Sequence, residues 1–360
     1  MRFTQIPNVD NTWDIVTIKT LSPSTFSWVS RGCGYQVLLQ KALNAYNNTS
    51  LSLPSNRNAI LGTIIHKLYE LTLKGELSNI ADLKNKWEEL IIVEKDKLAA
   101  NYPTLRHASL NNYDKRNSAI RYALGLLKKT NKATVDSGIK KVYSEKRLDC
   151  SDIGLKGVAD KLIVDNGCID VIDFKSGHVK DESGIIKLEY SIQLHLYAEM
   201  CKHLSLGIPR TLTLIDIDGE CFEIPYSQEY SSQLISEVQE TIQMLNNTIS
   251  SRLFPSCAKP ELGMCVNCSC RHVCKFRAIG SDSYYQTRTG RVIELPSSNM
   301  YVLQSGDNTL FISGIDAYEV DSYRDYLGKT LTFVNVARAS QIADDFTYKI
   351  TENTLVYEQL

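Results

Sequence analysis

Between Lys141 and Lys175 the chain stops spacing its apolar residues as a helix does and begins to alternate them, and this change of period constrains the fold more than any other feature. Before it, apolar residues recur at helical spacing over Thr25 to Ala45, after the capping pattern Ser22-Pro23-Ser24. They do so again over about Ile60 to Gly75, Ala81 to Ala99 and Tyr113 to Thr130. Within it, turn signals at Asp152 and at Asp165-Asn166-Gly167 predict three strands. A helix is expected over Leu188 to Leu204, strands over Thr211 to Asp216 and Cys221 to Ile224, and a long helix over about Gln228 to Arg252. Strands interleaved with long helices imply an α/β architecture.

Beyond Gly280 the pattern becomes one of short alternating runs at Met300 to Leu303, Thr309 to Ile312, Thr330 to Val336, Phe346 to Ile350 and Thr354 to Tyr357. These predict a small C-terminal all-β barrel or sandwich over 281–360, behind a first domain over 1–280. Charge divides the same way. The whole chain has a formal net charge of −1, but 281–360 carries 6 Lys+Arg against 11 Asp+Glu, a net of −5, which leaves +4 for 1–280. A polyanion partner is therefore expected on the first domain, and a chain ending near Gly280 is expected to keep its activity.

No run of 18 apolar residues occurs, and the start lacks the basic and apolar regions of a signal peptide, so a soluble cytoplasmic protein without membrane partners is expected. In a reducing compartment ten cysteines, six of them after residue 220, point to metal or iron-sulfur binding where they cluster.

In Ile169-Asp170-Val171-Ile172-Asp173-Phe174-Lys175, alternation puts Asp173 and Lys175 on one face of a strand. Asp160, at the end of Gly157-Val158-Ala159-Asp160, lies one hairpin away and can reach Asp173. Two carboxylates beside one lysine want a cation, whereas a lone Asp-x-Lys is more often a surface ion pair. Gln193 and Tyr197 share one helical face, and His66 lies on the second helix. His195 and His203, without companions, read as ordinary satisfied residues.

Gly62-x-x-x-His66, the strand residue Glu145, Gly157-x-x-Asp160, Ile172-Asp173-x-Lys175-Ser176-Gly177 and Gln193-x-x-x-Tyr197 follow one another in that order. In that order they resemble the RecB-type branch of the PD-(D/E)XK nucleases, including exonucleases like those of CRISPR adaptation. The resemblance implies a restriction-endonuclease-like mixed sheet flanked by helices. It also implies Mg²⁺ or Mn²⁺ held by His66, Asp160, Asp173 and the Phe174 carbonyl. Lys175 would then orient the attacking water and stabilise phosphorane charge, Gln193 and Tyr197 would position that lysine or the DNA, and Glu145 is a further candidate.

Residues 265–274 read Cys-Val-Asn-Cys-Ser-Cys-Arg-His-Val-Cys, a density that core packing does not produce. By the same resemblance, Cys33 joins Cys265, Cys268 and Cys274 around a [4Fe-4S] cluster that staples the ends of the domain. Zinc is the rival, with Cys257, Cys270 or His272 as a further ligand. Arg252, Lys259, Arg271, Lys275 and Arg277 surround the cysteines, either as a solvated basic face or as a track for DNA. Gly328-Lys329-Thr330 lacks the earlier glycine of a phosphate-binding loop, so duplex opening would need a helicase or other partner. The expected activity is metal-dependent cleavage of DNA at single-stranded or free ends. The competing class is a non-catalytic nucleic-acid-binding or assembly subunit of a DNA-processing complex.

Overall fold

The computed structural model describes residues 2–7, 15–30, 32–45, 51–133, 141–278, 285–297, 299–318, 320, 322–342 and 345–360. A short strand, β1 (Thr4–Ile6), precedes the helices α1 (Pro23–Val29), α2 (Tyr35–Ala45), α3 (Arg57–Leu73), α4 (Ile80–Asn101) and α5 (Tyr113–Ala133). Next come β2 (Lys141–Cys150), β3 (Leu155–Asp165), β4 (Cys168–Phe174), α6 (Leu188–His203), β5 (Ile208–Ile215), β6 (Cys221–Ile224), α7 (Gln228–Ser251) and α8 (Leu262–Asn267). The last strands are β7 (Tyr285–Ser297), β8 (Met300–Ser305), β9 (Asn308–Ser313), β10 (Thr330–Ile342), β11 (Asp345–Lys349) and β12 (Leu355–Gln359).

The single helix expected over 25–45 is two. Ser22 caps α1, its hydroxyl accepting from the Thr25 N–H, but the helix ends at Val29. Glycines at 32 and 34, which cost a helix about 1 kcal/mol each, occupy the break. Cys33 thereby sits in a loop and not on a helical face, with the Lys259 N–H 3.4 Å from its sulfur.

Strands β2 to β6 form one sheet in the order β2-β3-β4-β5-β6. Only β4 and β5 run parallel, joined by the α6 crossover. The β3–β4 turn uses Asn166 (φ 49°) and Gly167 (φ 77°), the left-handed pair of a tight hairpin. Alternation on β4 sends Ile169 and Val171 into one core, with residues of α1, α2, α6 and α7. Ile172 and Phe174 go into a second core with α3, α4 and α5. Each such side chain contributes about 1.5–3 kcal/mol when fully buried, so a register slip on β4 would be costly on both faces.

Strand β10 pairs with both β7 and β11, and β7-β8-β9-β11 completes a closed ring around a third core. This ring is not self-contained. Strand β1 adds to β12 in parallel register, Thr4 opposite Tyr357, and Val334, Leu355 and Tyr357 are buried in the same core as α6 and α7. Packing therefore crosses residue 280, with β1 paired to β12 and residues of β10 and β12 in the main core. No helix among the described residues is long and apolar enough to cross a membrane.

Candidate active site

The facing ends of β3 and β4 carry the acidic residues. Register places Lys161 opposite Ile172, so Asp160 stands beside the end of β4, where its Oδ2 accepts the Phe174 N–H at 2.7 Å. Helix α3 brings His66 over the same point, with Nδ1 3.4 Å from Asp160 Oδ1. That approach depends on Gly62, where a Cβ would stand 2.9 Å from Ser176 Oγ in the turn after β4. Glu145 arrives from β2. The flanking pairs Ser144–Lys161 and Lys146–Ala159 set it opposite Asp160, and its φ of 50° is left-handed, a strained conformation inside a strand. Ligand atoms of His66, Glu145 and Asp160 all lie within 4.8 Å of one another.

Asp173 is engaged differently. It is 3% exposed, with Oδ1 accepting from Gln193 Nε2 at 3.0 Å and Oδ2 lying 2.7 Å from the Lys175 ammonium. That ammonium also donates to Gln193 Oε1 at 2.9 Å and sits 4.4 Å from the centre of the Tyr190 ring. Asp173, Lys175 and Gln193 therefore form a closed triangle beside the His66-Glu145-Asp160 group. Tyr190 escaped the sequence reading; its place on α6 one turn before Gln193 was the available signal. Tyr197 is buried and packs on Gly157, where a Cβ would meet its ring at 3.1 Å. It braces α6 against β3, while Gln193 holds the lysine.

Electrostatics divide the site the same way. Burial opposes a charge on His66, but the carboxylates of Asp160, Asp173 and Glu145, Asp160 foremost, together outweigh it and push the imidazole up to about 9. Burial and then Asp160 push Glu145 up to about 7. Burial raises Asp173 against the pull of Lys175, whereas Lys175, despite burial, is held above its ordinary value by Asp173. The lysine stays charged. The crowded carboxylates carry a cost that a cation would relieve, and oxygen donors with one imidazole suit Mg²⁺ or Mn²⁺.

The cysteines separate into two kinds. Cys33, Cys265, Cys268 and Cys274 line one cavity, together with Tyr35, Phe276, Arg271 and Arg277, whereas Cys257 and Cys270 do not line it. Backbone N–H groups of Lys259, Ala278 and Cys270 lie 3.4 Å from the sulfurs of Cys33, Cys265 and Cys268 respectively. The Phe276 N–H serves Cys274. Such donors favour thiolates. Cys257 donates its thiol to the Phe254 carbonyl at 3.3 Å, and burial pushes both it and Cys274 up to about 11. His272 is buried with Nε2 2.7 Å from the Leu51 carbonyl, and burial pushes it down to about 3. His195 and His203 are accounted for by the Ser191 carbonyl at 2.8 Å and by Asp152 at 2.7 Å.

The family model described as the PD-(D/E)XK nuclease superfamily matches residues 20–275. A crystal structure of a candidate exonuclease from Eubacterium rectale aligns with 73% of this chain and 91% of its own, at 12% identity and a TM-score of 0.33. No curated protein matches the chain.

Proposed function

Since this chain belongs to the PD-(D/E)XK nuclease superfamily, we propose that it is a Mg²⁺- or Mn²⁺-dependent deoxyribonuclease that acts as an exonuclease on single-stranded or free DNA ends. The observation that carries the reading is the charged Lys175, fixed by Asp173 and Gln193 next to the His66-Glu145-Asp160 group. His66, Glu145 and Asp160 would hold the ion, with Asp173 and the Phe174 carbonyl contributing from the end of β4. When bound, the ion supplies Lewis acidity and an acidified water.

The chain's own residues do the rest. The Lys175 ammonium orients the attacking water and stabilises the charge that develops on the phosphorane. Gln193 keeps that ammonium in place, so no reorganisation is needed as charge builds up. Asp160, tied to the β4 backbone through the Phe174 N–H, holds one carboxylate oxygen toward His66. A non-catalytic binding subunit would have no use for a buried lysine kept charged at this cost.

The four cavity cysteines would hold a [4Fe-4S] cluster that staples the loop before α2 to α8 and the segment that follows it. Their N–H donors support thiolates. A mononuclear zinc would bring sulfurs to about 3.8 Å from each other, given Zn–S lengths of about 2.3 Å. Among the described residues, the one group of three or more metal-ligating atoms within 4.8 Å of one another is His66-Glu145-Asp160, so zinc and the cluster are told apart by metal analysis. We place the protein in the cytoplasm, working beside a helicase or other partner when duplex must be opened.

Anaerobically purified protein should degrade end-labelled linear single strands with Mg²⁺ or Mn²⁺ and spare circular ones. Absence of cleavage with either ion would refute the assignment.

A further inference from the structure

A cavity of about 690 Å³ lies outside the catalytic centre. One wall is the start of α3, with Arg57; another is the segment around α8, with Cys265, Arg271 and Arg277; the third is the C-terminal ring, with Arg288 and Asn335. Leu53, Ile60 and Leu355 are among the apolar residues lining it. Of the basic residues that surround the cysteines in sequence, only Arg271 and Arg277 line it; Arg252, Lys259 and Lys275 do not.

Its charge is one-sided. Four arginines face one carboxylate, the exposed Glu352. Among the described residues none of the four is ion-paired. Arg271 donates to the Cys268 carbonyl and to Asn335, Arg277 to the Arg271 carbonyl, and Arg288 to the Tyr348 hydroxyl and the Thr287 carbonyl. Burial, and to a lesser extent a neighbouring guanidinium, lowers the pKa of Arg271 and of Arg277, so the site already bears a desolvation cost. Phosphates would offset that cost with bidentate, charge-assisted hydrogen bonds.

The groove also leads to the chemistry. Lys115 donates to the Ser176 carbonyl at 2.9 Å, next to Lys175, and after burial itself the largest influence on Lys115 is Arg57. A basic path thus runs from the catalytic turn, over Lys115 and Arg57, into the groove. We propose that this groove holds the single-stranded flank of the nucleic-acid substrate by its phosphates, with bases resting on the apolar residues, and that the C-terminal ring is one wall of the substrate path despite its net negative charge. The proposal rests on the nuclease reading for its substrate. Arg271 and Arg277 line both the groove and the cysteine cavity, so they could serve the thiolates alone, whereas Arg57 and Arg288 line only the groove.

The test is binding of a fluorescent 20-nucleotide single strand to the full chain in EDTA, followed by anisotropy from low to moderate salt. The double variant Arg57→Gln/Arg288→Gln should bind at least tenfold more weakly. Its salt slope should fall by about 1.4, at roughly 0.7 for each phosphate that is no longer neutralised. Arg57→Lys/Arg288→Lys should keep the slope, and the remote Arg324→Gln should match wild type. An unchanged affinity and slope in the double Gln variant overturns the proposal. So does loss of the slope in the Lys variant, or displacement of the strand by poly-glutamate or duplex as readily as by unlabelled single strand. Because no cleavage is measured, a protein that binds as described but never cuts would refute the nuclease reading alone, and one that cuts without this dependence would refute the groove alone.

Discussion

The Gln193 carboxamide bridges two groups that also pair with each other: its nitrogen donates to Asp173 at 3.0 Å and its oxygen accepts from Lys175 at 2.9 Å. An amide suits this place because it presents a donor and an acceptor on separate atoms of one plane. Gln193→Ala should therefore lower kcat by about 10²-fold with KM little changed, the size expected when a reacting group is misplaced by about 1 Å. Gln193→Glu should be no better, since it offers Asp173 only repulsion. Steady-state kinetics on an oligonucleotide check both; a kcat within twofold of wild type in both variants would mean Lys175 is held by something else.

Protonation of the metal-free site gives a pH prediction. His66, at about 9, and Glu145, at about 7, both bind protons more tightly in the folded state than at their ordinary values of 6.5 and 4.5. Stability then falls as pH rises. The His66 contribution is fully present below about pH 6.5 and is lost as pH passes 9, and Glu145 adds a loss between about 4.5 and 7. Tm without metal should drop across pH 6.5–9, and the stabilisation by Mn²⁺ should grow over that range because fewer protons must leave. His66→Ala should flatten the upper part of both curves in thermal scans. A metal-free Tm that rises with pH would contradict the arrangement.

The cysteine assignment separates by variant. Iron should approach four per chain, and Cys33→Ser should lose most of it together with the brown absorbance. Cys257→Ser and Cys270→Ser should retain it, because neither sulfur lines the cavity. Stoichiometric zinc without iron, or iron lost equally in all three, would show the four-thiolate grouping to be wrong.

Much of the candidate site's grouping was legible because it depends on local periodicity. Alternation alone set Asp173 and Lys175 on one face, and a two-residue hairpin carried Asp160 to them. The αL turn at Glu145 was not legible, since an extended strand is the default for its neighbours and strain appears only once β2, β3 and α3 are assembled. Nor was the break before Cys33 visible, because the apolar spacing runs across Gly32 and Gly34 without interruption. The joining of β1 to β12 is a pairing across nearly the whole chain, which no window of sequence encodes.

That last pairing changes what a truncation should do. Removing 281–360 deletes the partner of β1 and takes Val334, Leu355 and Tyr357 out of the main core, so a chain ending near Gly280 should be poorly soluble instead of active. The milder Tyr357→Ala removes a buried ring 4.8 Å from that of His272 and should cost about 3–5 kcal/mol, as large aromatic deletions do. Urea titration of the variant and sedimentation of the truncation measure both effects. A soluble, folded truncation would contradict this and favour two independent domains divided at 280.

The most direct measurement of the central claim is release of label from an end-labelled single strand by wild type and by Lys175→Ala, side by side in Mn²⁺, with Mn²⁺ binding and strand binding measured on the same preparations. Wild type should release label and Lys175→Ala should be slower by about 10²- to 10³-fold, of the order found when one stabilising donor at a transition state is removed. Both proteins should still bind the ion and the strand. Release by Lys175→Ala at the wild-type rate, once contaminating nuclease has been excluded, would contradict the assignment of Lys175 and of the site built around it.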